Sequence, residues 1–274
     1  MDRFEKNIAG IYREKGNAWI SELPKLVQKY ALLWGLSHLE PFKNLSYNYV
    51  LSGYQGSVPI VLKLSLNIFD LDKEARALEA FSGYGSVSVL AHQAGALLLQ
   101  KAMPGHPLKG SGSIQIACKV IKKLHQAPLP TLGNFPHIEE WLTALDKAWK
   151  LPELHLQQAR RLKKCLLQLT RAPVLLHGDL HRENILSSGE DWLVIDPKGV
   201  IGYPLNEVWA CVEDPQHDLA YIAKYFNFKF DEIAHWYYVH LILAACWQVE
   251  DNLDPKRFLD LAQGVLPMIK EGTS

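Results

Sequence analysis

The 274-residue sequence has few of the features that mark several common functional classes. Its four cysteines, Cys118, Cys165, Cys211 and Cys246, lie far apart with no Cys-x-x-Cys pair. That excludes a zinc ribbon or a dense disulfide framework and suits a reducing cytoplasm. An excess of charge is missing too: Lys plus Arg and Asp plus Glu both total 29. No global field therefore draws the chain to nucleic acid or to an anionic membrane. The longest apolar run, residues 241–247, is far too short to span a bilayer. The opening residues Met1 to Lys6 mix charges with no apolar run behind them, so neither a signal peptide nor a transit peptide is expected. No Gly-x-x-x-x-Gly-Lys-[Ser/Thr] string is present, which excludes a P-loop nucleotide site. His177 and His181 stand four apart but flank Gly178-Asp179 rather than the Glu-x-x of a zinc-protease helix.

What is present is a folding composition, 48% hydrophobic and 21% charged, in a chain long enough for one large domain or two lobes. Apolar spacing predicts a helical region over 2–38, closed by Gly35 and Pro41. A β-rich run over 45–52, a turn at 53–57 and a second strand over 58–64 predict a hairpin. A helix is expected over 70–81, then strands over 87–90 and 96–103, and the chain breaks at Pro104-Gly105 and Pro107. Beyond the break, amphipathic helices are expected over 113–125, 138–149 and 155–170, short strands over 174–177 and 192–196, and helices from about 207 onward. The fold class expected is α+β in two lobes. Residues 1–103 would form N-terminal helices with a small β-rich lobe, and 104–274 a larger helical lobe holding an isolated β-hairpin.

The most informative stretch is His177-Gly178-Asp179-Leu180-His181-Arg182-Glu183-Asn184-Ile185-Leu186, followed by Val194-Ile195-Asp196-Pro197. Phosphoryl transfer from a nucleotide needs a carboxylate to orient the attacking hydroxyl, and oxygen ligands to fix magnesium against the phosphates. Asp179 suits the first task as catalytic residue. Asn184 and Asp196, a neutral amide and a carboxylate, suit the second as metal ligands. His177, at a strand end, reads as a scaffold imidazole bonding the loop backbone.

These residues resemble the catalytic and metal-binding loops of the aminoglycoside phosphotransferase family, in the protein-kinase-like superfamily. The continuation Asp196-Pro197-Lys198-Gly199-Val200-Ile201-Gly202, with Pro204, is most similar to the streptomycin 6-kinase and hydroxyurea phosphotransferase subgroup. Protein kinases carry Arg, Lys and Phe-Gly where this chain has Gly178, His181 and Pro197-Lys198, which points to a small-molecule acceptor. The resemblance implies a protein-kinase-like two-lobed fold and a Mg2+-dependent kinase using ATP or GTP. Its acceptor would be a hydroxyl of an aminocyclitol antibiotic such as streptomycin, or alternatively of a housekeeping metabolite such as a sugar, amino alcohol or glycated amine. A nucleotide-binding module without turnover is a third reading.

By the superfamily's strand-then-helix order, Lys63 would bind phosphate and Glu74 would hold it. Backbone at Gln100 and Ala102 would meet the base, with Leu99 behind it. Ser46, in a loop without glycine, would touch phosphate. On the acceptor side, Tyr203 stands where the subgroup often carries an acid and Asn206 where an aromatic is usual. From residue 201 onward, eleven acidic residues face five basic ones. That imbalance suits a cationic acceptor, with Glu207, Glu213, Asp214, Asp218 and Glu250 as candidates. Trp209, Trp236, Tyr237 and Trp247 are aromatics able to floor a pocket, although helical aromatics are more often core.

Overall fold

In the computed structural model, residues 3–131, 135–169 and 171–269 are described. Thr170, the last residue of one expected helix, and Lys270 and Glu271, two of the counted charges, lie outside them. Two units emerge, residues 1–106 with 186–198, and residues 107–185 with 199–274. The structure thus departs from a simple division near residue 103, because 186–198 fold with the first unit.

The first unit is built on a five-stranded antiparallel sheet of β1 (Leu36–Pro41), β2 (Tyr49–Gln55), β3 (Val58–Leu64), β4 (Val89–Gln93) and β5 (Ala96–Gln100), in the order β1-β2-β3-β5-β4. Side chains alternate across a strand, and this sheet uses both faces. Ile60, Leu62, Leu64, Ala96 and Leu98 point to one side, where Phe4, Ile8, Trp19, Leu23 and Tyr30 of α1 (Arg3–Trp34) complete a core. Leu97 and Leu99 point to the other, against Leu71, Ala75 and Leu78 of α2 (Ile68–Ala80). Asn67 caps α2 by accepting from the Asp70 N–H at 3.2 Å.

Residues 36–38, expected as the end of a helix, instead open β1, which pairs antiparallel with β2. Helical spacing ran on too far because Gly35, with φ +63°, ends α1 and lets the chain turn into the sheet. The expected hairpin of the helical lobe, strands 174–177 with 192–196, does not form. The second of these is β9 (Asp191–Val194), which pairs with an unexpected strand, β8 (Ile185–Ser188), and the two form a second sheet with β6 (Pro104–Pro107), in the order β6-β8-β9. Leu186, Leu193 and Ile195 pack on the Leu71–Leu97–Leu99 cluster, and Val87 donates its N–H to the Val194 carbonyl at 3.1 Å. Burial of that apolar surface against the first sheet places the β8–β9 hairpin there.

The second unit is mainly helical: α3 (Ser113–Leu124), α4 (Ile138–Leu142), α5 (Glu153–Leu166), α6 (Pro215–Phe226), α7 (Phe230–Glu250) and α8 (Lys256–Val265). Most of α7 is buried, from Ile233 through Cys246 almost without interruption, as its nearly continuous apolar sequence requires. Strands β7 (Val174–Leu176) and β10 (Val200–Gly202) pair antiparallel beside it. Gly202 is needed there, since a Cβ would lie 2.8 Å from Leu176 Cδ1 and 3.0 Å from Ile138 Cβ. No helix among the described residues is long and apolar enough to cross a membrane.

Candidate active site

Within the first unit, the alternation of β3 decides where Lys63 points. Leu62 and Leu64 enter the α1 core, so Lys63 projects with Val61 toward α2. There its Nζ donates to Glu74 Oε2 at 2.6 Å and to Asp196 Oδ1 at 3.0 Å. Lys63 and Glu74 are buried, whereas the Asp196 side chain is 48% exposed. Burial works against the ammonium charge of Lys63, but the carboxylates of Asp196 and Glu74 outweigh it and hold the pKa above the ordinary lysine value. Burial also pushes Glu74 up to about 6, against the pull of Lys63. Asp196 adopts φ +59°, a left-handed backbone uncommon for a side chain with a Cβ. Three residues distant in sequence are therefore held in one charged cluster, with Asp196 as its exposed member.

The other expected nucleotide contacts lie in the same unit. Gln100 gives its N–H to the Ser88 carbonyl at 2.9 Å, and Lys101 gives its own to Pro59 at 3.1 Å. Any bond from Gln100 backbone to a base would therefore run through its carbonyl. Ala102 follows, buried against the Leu97–Leu99 face. Ser46 sits half-buried in the loop between β1 and β2, and its carbonyl accepts from Asn7 Nδ2 at 3.2 Å.

Within the second unit, β7 delivers the chain to the His177–Asn184 loop. His177 is fully buried, and its Nδ1 accepts from the Asp179 N–H at 3.2 Å. Gly178 turns the chain with φ +82°. The Asp179 carbonyl then accepts from the His181 N–H at 2.9 Å and from Asn184 Nδ2 at 2.9 Å. This contact occupies the amide nitrogen of Asn184, so its oxygen is the atom it can offer to a cation. Glu207 supports the loop from below: its carboxylate accepts the N–H of His177 at 2.5 Å and of Gly178 at 3.1 Å. Burial pushes its pKa up to about 7 despite those two bonds.

The acidic residues expected on the acceptor side are dispersed. Glu207 is buried with both oxygens on loop backbone, so it braces the loop. Asp214 caps α6, accepting from the N–H groups of Gln216 and His217. Asp218 is buried and accepts from the N–H groups of Glu213 and Asp214. Glu213 pairs with Arg182 at 2.6 Å and Glu250 with Lys147 at 3.2 Å, both from exposed positions. The sequence reading assigned no task to Arg182, whose Nε also donates to the Cys211 carbonyl at 3.1 Å. A cation inside a loop followed by several acids was the available signal.

Residues 38–248 match the model of the family described as aminoglycoside/hydroxyurea antibiotic resistance kinase. The chain belongs to that family. Its members are phosphotransferases, and relatives named as kinases align with it directly. The streptomycin 3''-kinase of Klebsiella pneumoniae is 33% identical over 165 residues, covering 57% of this chain and 60% of that protein. The streptomycin 6-kinase of Streptomyces griseus is 25% identical over 270 residues, covering 88% and 87%. Among solved structures, a thermostable mutant of the aminoglycoside phosphotransferase APH(4)-Ia, in ternary complex with ADP and hygromycin B, superposes with a TM-score of 0.66 at 13% identity. That match covers 88% of this chain and 96% of that one. The fold of this family member is thus protein-kinase-like, a β-sheet N-terminal part followed by a helical C-terminal part.

Proposed function

We propose that this protein is a Mg2+-dependent kinase that transfers the γ-phosphate of ATP or GTP to a hydroxyl of an aminocyclitol antibiotic of the streptomycin type. The observation that carries the phosphotransfer reading is the Lys63–Glu74–Asp196 cluster, a buried cation held between two carboxylates at the end of a strand. Such a cation, fixed in place and kept protonated by its two carboxylates, is suited to binding nucleotide phosphate oxygens. The streptomycin reading rests on relatives bearing that name, one of them aligned along most of both chains.

In this mechanism Glu74 holds Lys63 in position, and Lys63 binds phosphate oxygens of the nucleotide. Gln100 and Ala102 meet the base through backbone groups. Asp179 accepts the hydrogen of the acceptor hydroxyl and aims its oxygen at the γ-phosphorus, while the buried His177 and the Glu207 brace keep that carboxylate's backbone fixed. Asn184 and Asp196 fit magnesium by their chemistry, since both offer hard oxygen donors and Asn184 has its nitrogen engaged elsewhere. Bound there, the ion would neutralise charge on the phosphates.

Purified protein with Mg-ATP carrying a labelled γ-phosphate, offered a panel of aminocyclitols and hydroxylated metabolites, tests the reading. Transfer to streptomycin is the expected result. Transfer confined to sugars or amino alcohols would replace the antibiotic assignment, and no transfer to any acceptor would remove the kinase assignment.

A further inference from the structure

The Asp179–Asn184 loop is closed on itself by bonds between its own residues. The His181 N–H reaches the Asp179 carbonyl at 2.9 Å, the Asn184 N–H reaches the His181 carbonyl at 2.9 Å, and Asn184 Nδ2 returns to the Asp179 carbonyl at 2.9 Å. Those bonds fix the shape of the loop. Where it sits depends on what fastens it from outside. The approach to the loop is held by Glu207, through the N–H groups of His177 and Gly178. Its middle is held by residues 211–218, through Cys211 and Arg182.

The Arg182 side chain is only 12% exposed and spans three acidic or carbonyl partners. Its Nε donates to the Cys211 carbonyl at 3.1 Å, one terminal nitrogen meets Glu213 at 2.6 Å, and the other lies 3.8 Å from Asp218. A guanidinium can do this because its donors form a rigid planar fork, whereas an ammonium is a point charge on a flexible stem. Cys211 adds a second tie, its thiol donating to the Leu180 carbonyl at 2.9 Å. The loop is therefore gripped on either side of His181. Leu108 also reaches the Arg182 carbonyl, at 3.2 Å, but shares that N–H with the Ile185 carbonyl at 2.9 Å. Asp218 is bonded without the arginine, since it accepts from the N–H groups of Glu213 and Asp214 and lies 3.1 Å from His217 Nδ1. A charge partner for Asp218 does not account for Arg182, whereas attachment of the loop does.

We propose that Arg182 is a positioning residue of the phosphotransfer reaction: anchored on the Cys211 carbonyl and on the acids at the start of α6, it sets the placement of the loop that carries Asp179 and Asn184. This rests on the roles given above to those two residues. A shift at residue 182 passes to both at once, because the bonds within the loop make it move as one piece. Misplacing a reacting group by about 1 Å can cost about 100-fold in rate. A side chain that acts only through the backbone it holds can therefore govern kcat.

The test uses the full chain with Arg182→Lys, which keeps the charge and loses the fork, and with Arg182→Met, which loses both. With Mg-ATP and an acceptor that the wild type phosphorylates, kcat should fall about 10- to 100-fold in Arg182→Lys and further in Arg182→Met, while the acceptor KM moves less than about twofold. Calorimetry without acceptor gives a second readout. ATP alone should bind both variants as it binds the wild type, whereas the gain in affinity on adding Mg2+ should shrink several-fold, because the oxygen of Asn184 is displaced. A wild-type kcat in Arg182→Lys with an unchanged Mg2+ gain would overturn the proposal. So would a fall in kcat that follows a lowered melting temperature and weakens Mg2+-free ATP binding equally. Loss of folding in both variants overturns it as well, since Arg182 would then hold the fold rather than the loop. Absence of phosphotransfer by the wild type to any acceptor removes the kinase reading instead, and the Mg2+ dependence of ATP binding still decides whether Arg182 places the loop.

Discussion

Lys63 donates to Glu74 at 2.6 Å across the interval between β3 and α2, and both side chains are buried. Removing one member of such a pair leaves the other charged and without compensation in a dry setting, which costs about 3–5 kcal/mol. Lys63→Met is expected to lose stability on that scale and to abolish tight binding of Mg-ATP. Glu74→Gln, which keeps a hydrogen-bond acceptor beside Lys63, should fold and raise the KM for ATP while moving the acceptor KM far less. Denaturant titration and two-substrate kinetics measure both effects. Nucleotide affinity at the wild-type level in Lys63→Met would show that this ammonium does not meet the phosphates.

The backbone of Asp179 is fixed by three bonds: its N–H donates to His177 Nδ1 and its carbonyl accepts from His181 and Asn184. Asp179→Asn can keep all three of these backbone bonds while replacing the carboxylate by an amide. Turnover should fall by about 10²–10⁴-fold, the usual contribution of a positioned proton acceptor, while nucleotide binding by calorimetry stays near wild type. A variant that turns over normally would mean that another group orients the hydroxyl.

The fold was legible in the sequence where a local pattern fixed the element. The β2–β3 turn, the apolar face of α2 and the polar loop after β7 each have a short-range signature. The site was legible for a related reason, because residues 177–196 place three chemically specific side chains at fixed spacing on one stretch of chain. Two things were not readable. Strand β1 follows a long amphipathic helix, and its pairing with β2 depends on partners that a local window does not contain. The acidic residues after 201 carried a charge count but no orientation. Only the backbone shows that Glu207 turns inward, that Asp214 caps α6 and that Asp218 is buried. Trp209 and Trp247 posed the converse difficulty, since helical spacing does not separate a half-exposed indole from a core one.

Arg182 and the start of α6 give a sharper test of those acidic residues. Asp214 is an N-cap, so Asp214→Ala should cost about 1 kcal/mol of stability and leave the acceptor KM unchanged. Glu213 is exposed at its pair with Arg182, and Glu213→Gln should be close to neutral, as for most surface ion pairs. Asp218 differs, being buried with two backbone N–H groups on one oxygen and Arg182 at 3.8 Å. Asp218→Ala would strand those donors at about 1–3 kcal/mol. Thermal melts paired with acceptor kinetics separate these outcomes, and a rise of the acceptor KM in Asp214→Ala would return that residue to the acceptor site.

Glu207 makes a pH-dependent prediction. Burial raises its pKa from 4.5 to about 7 in the folded chain, although the N–H groups of His177 and Gly178 pull the other way. The folded state therefore binds a proton more tightly than the unfolded state does. Its contribution to stability is complete below about pH 4.5, shrinks as the pH rises toward 7, and is lost above that; over the whole interval it amounts to roughly 3 kcal/mol. Glu207→Gln has no proton to release, yet its amide oxygen can still accept one of the two loop N–H groups. Between pH 5 and 8 the wild type should lose stability relative to this variant as the pH rises, with the difference levelling off above the folded pKa. Denaturant midpoints taken across that range, with kcat recorded at each pH, measure it. Parallel curves for the two proteins would mean that Glu207 stays ionised throughout, with its two backbone bonds outweighing burial.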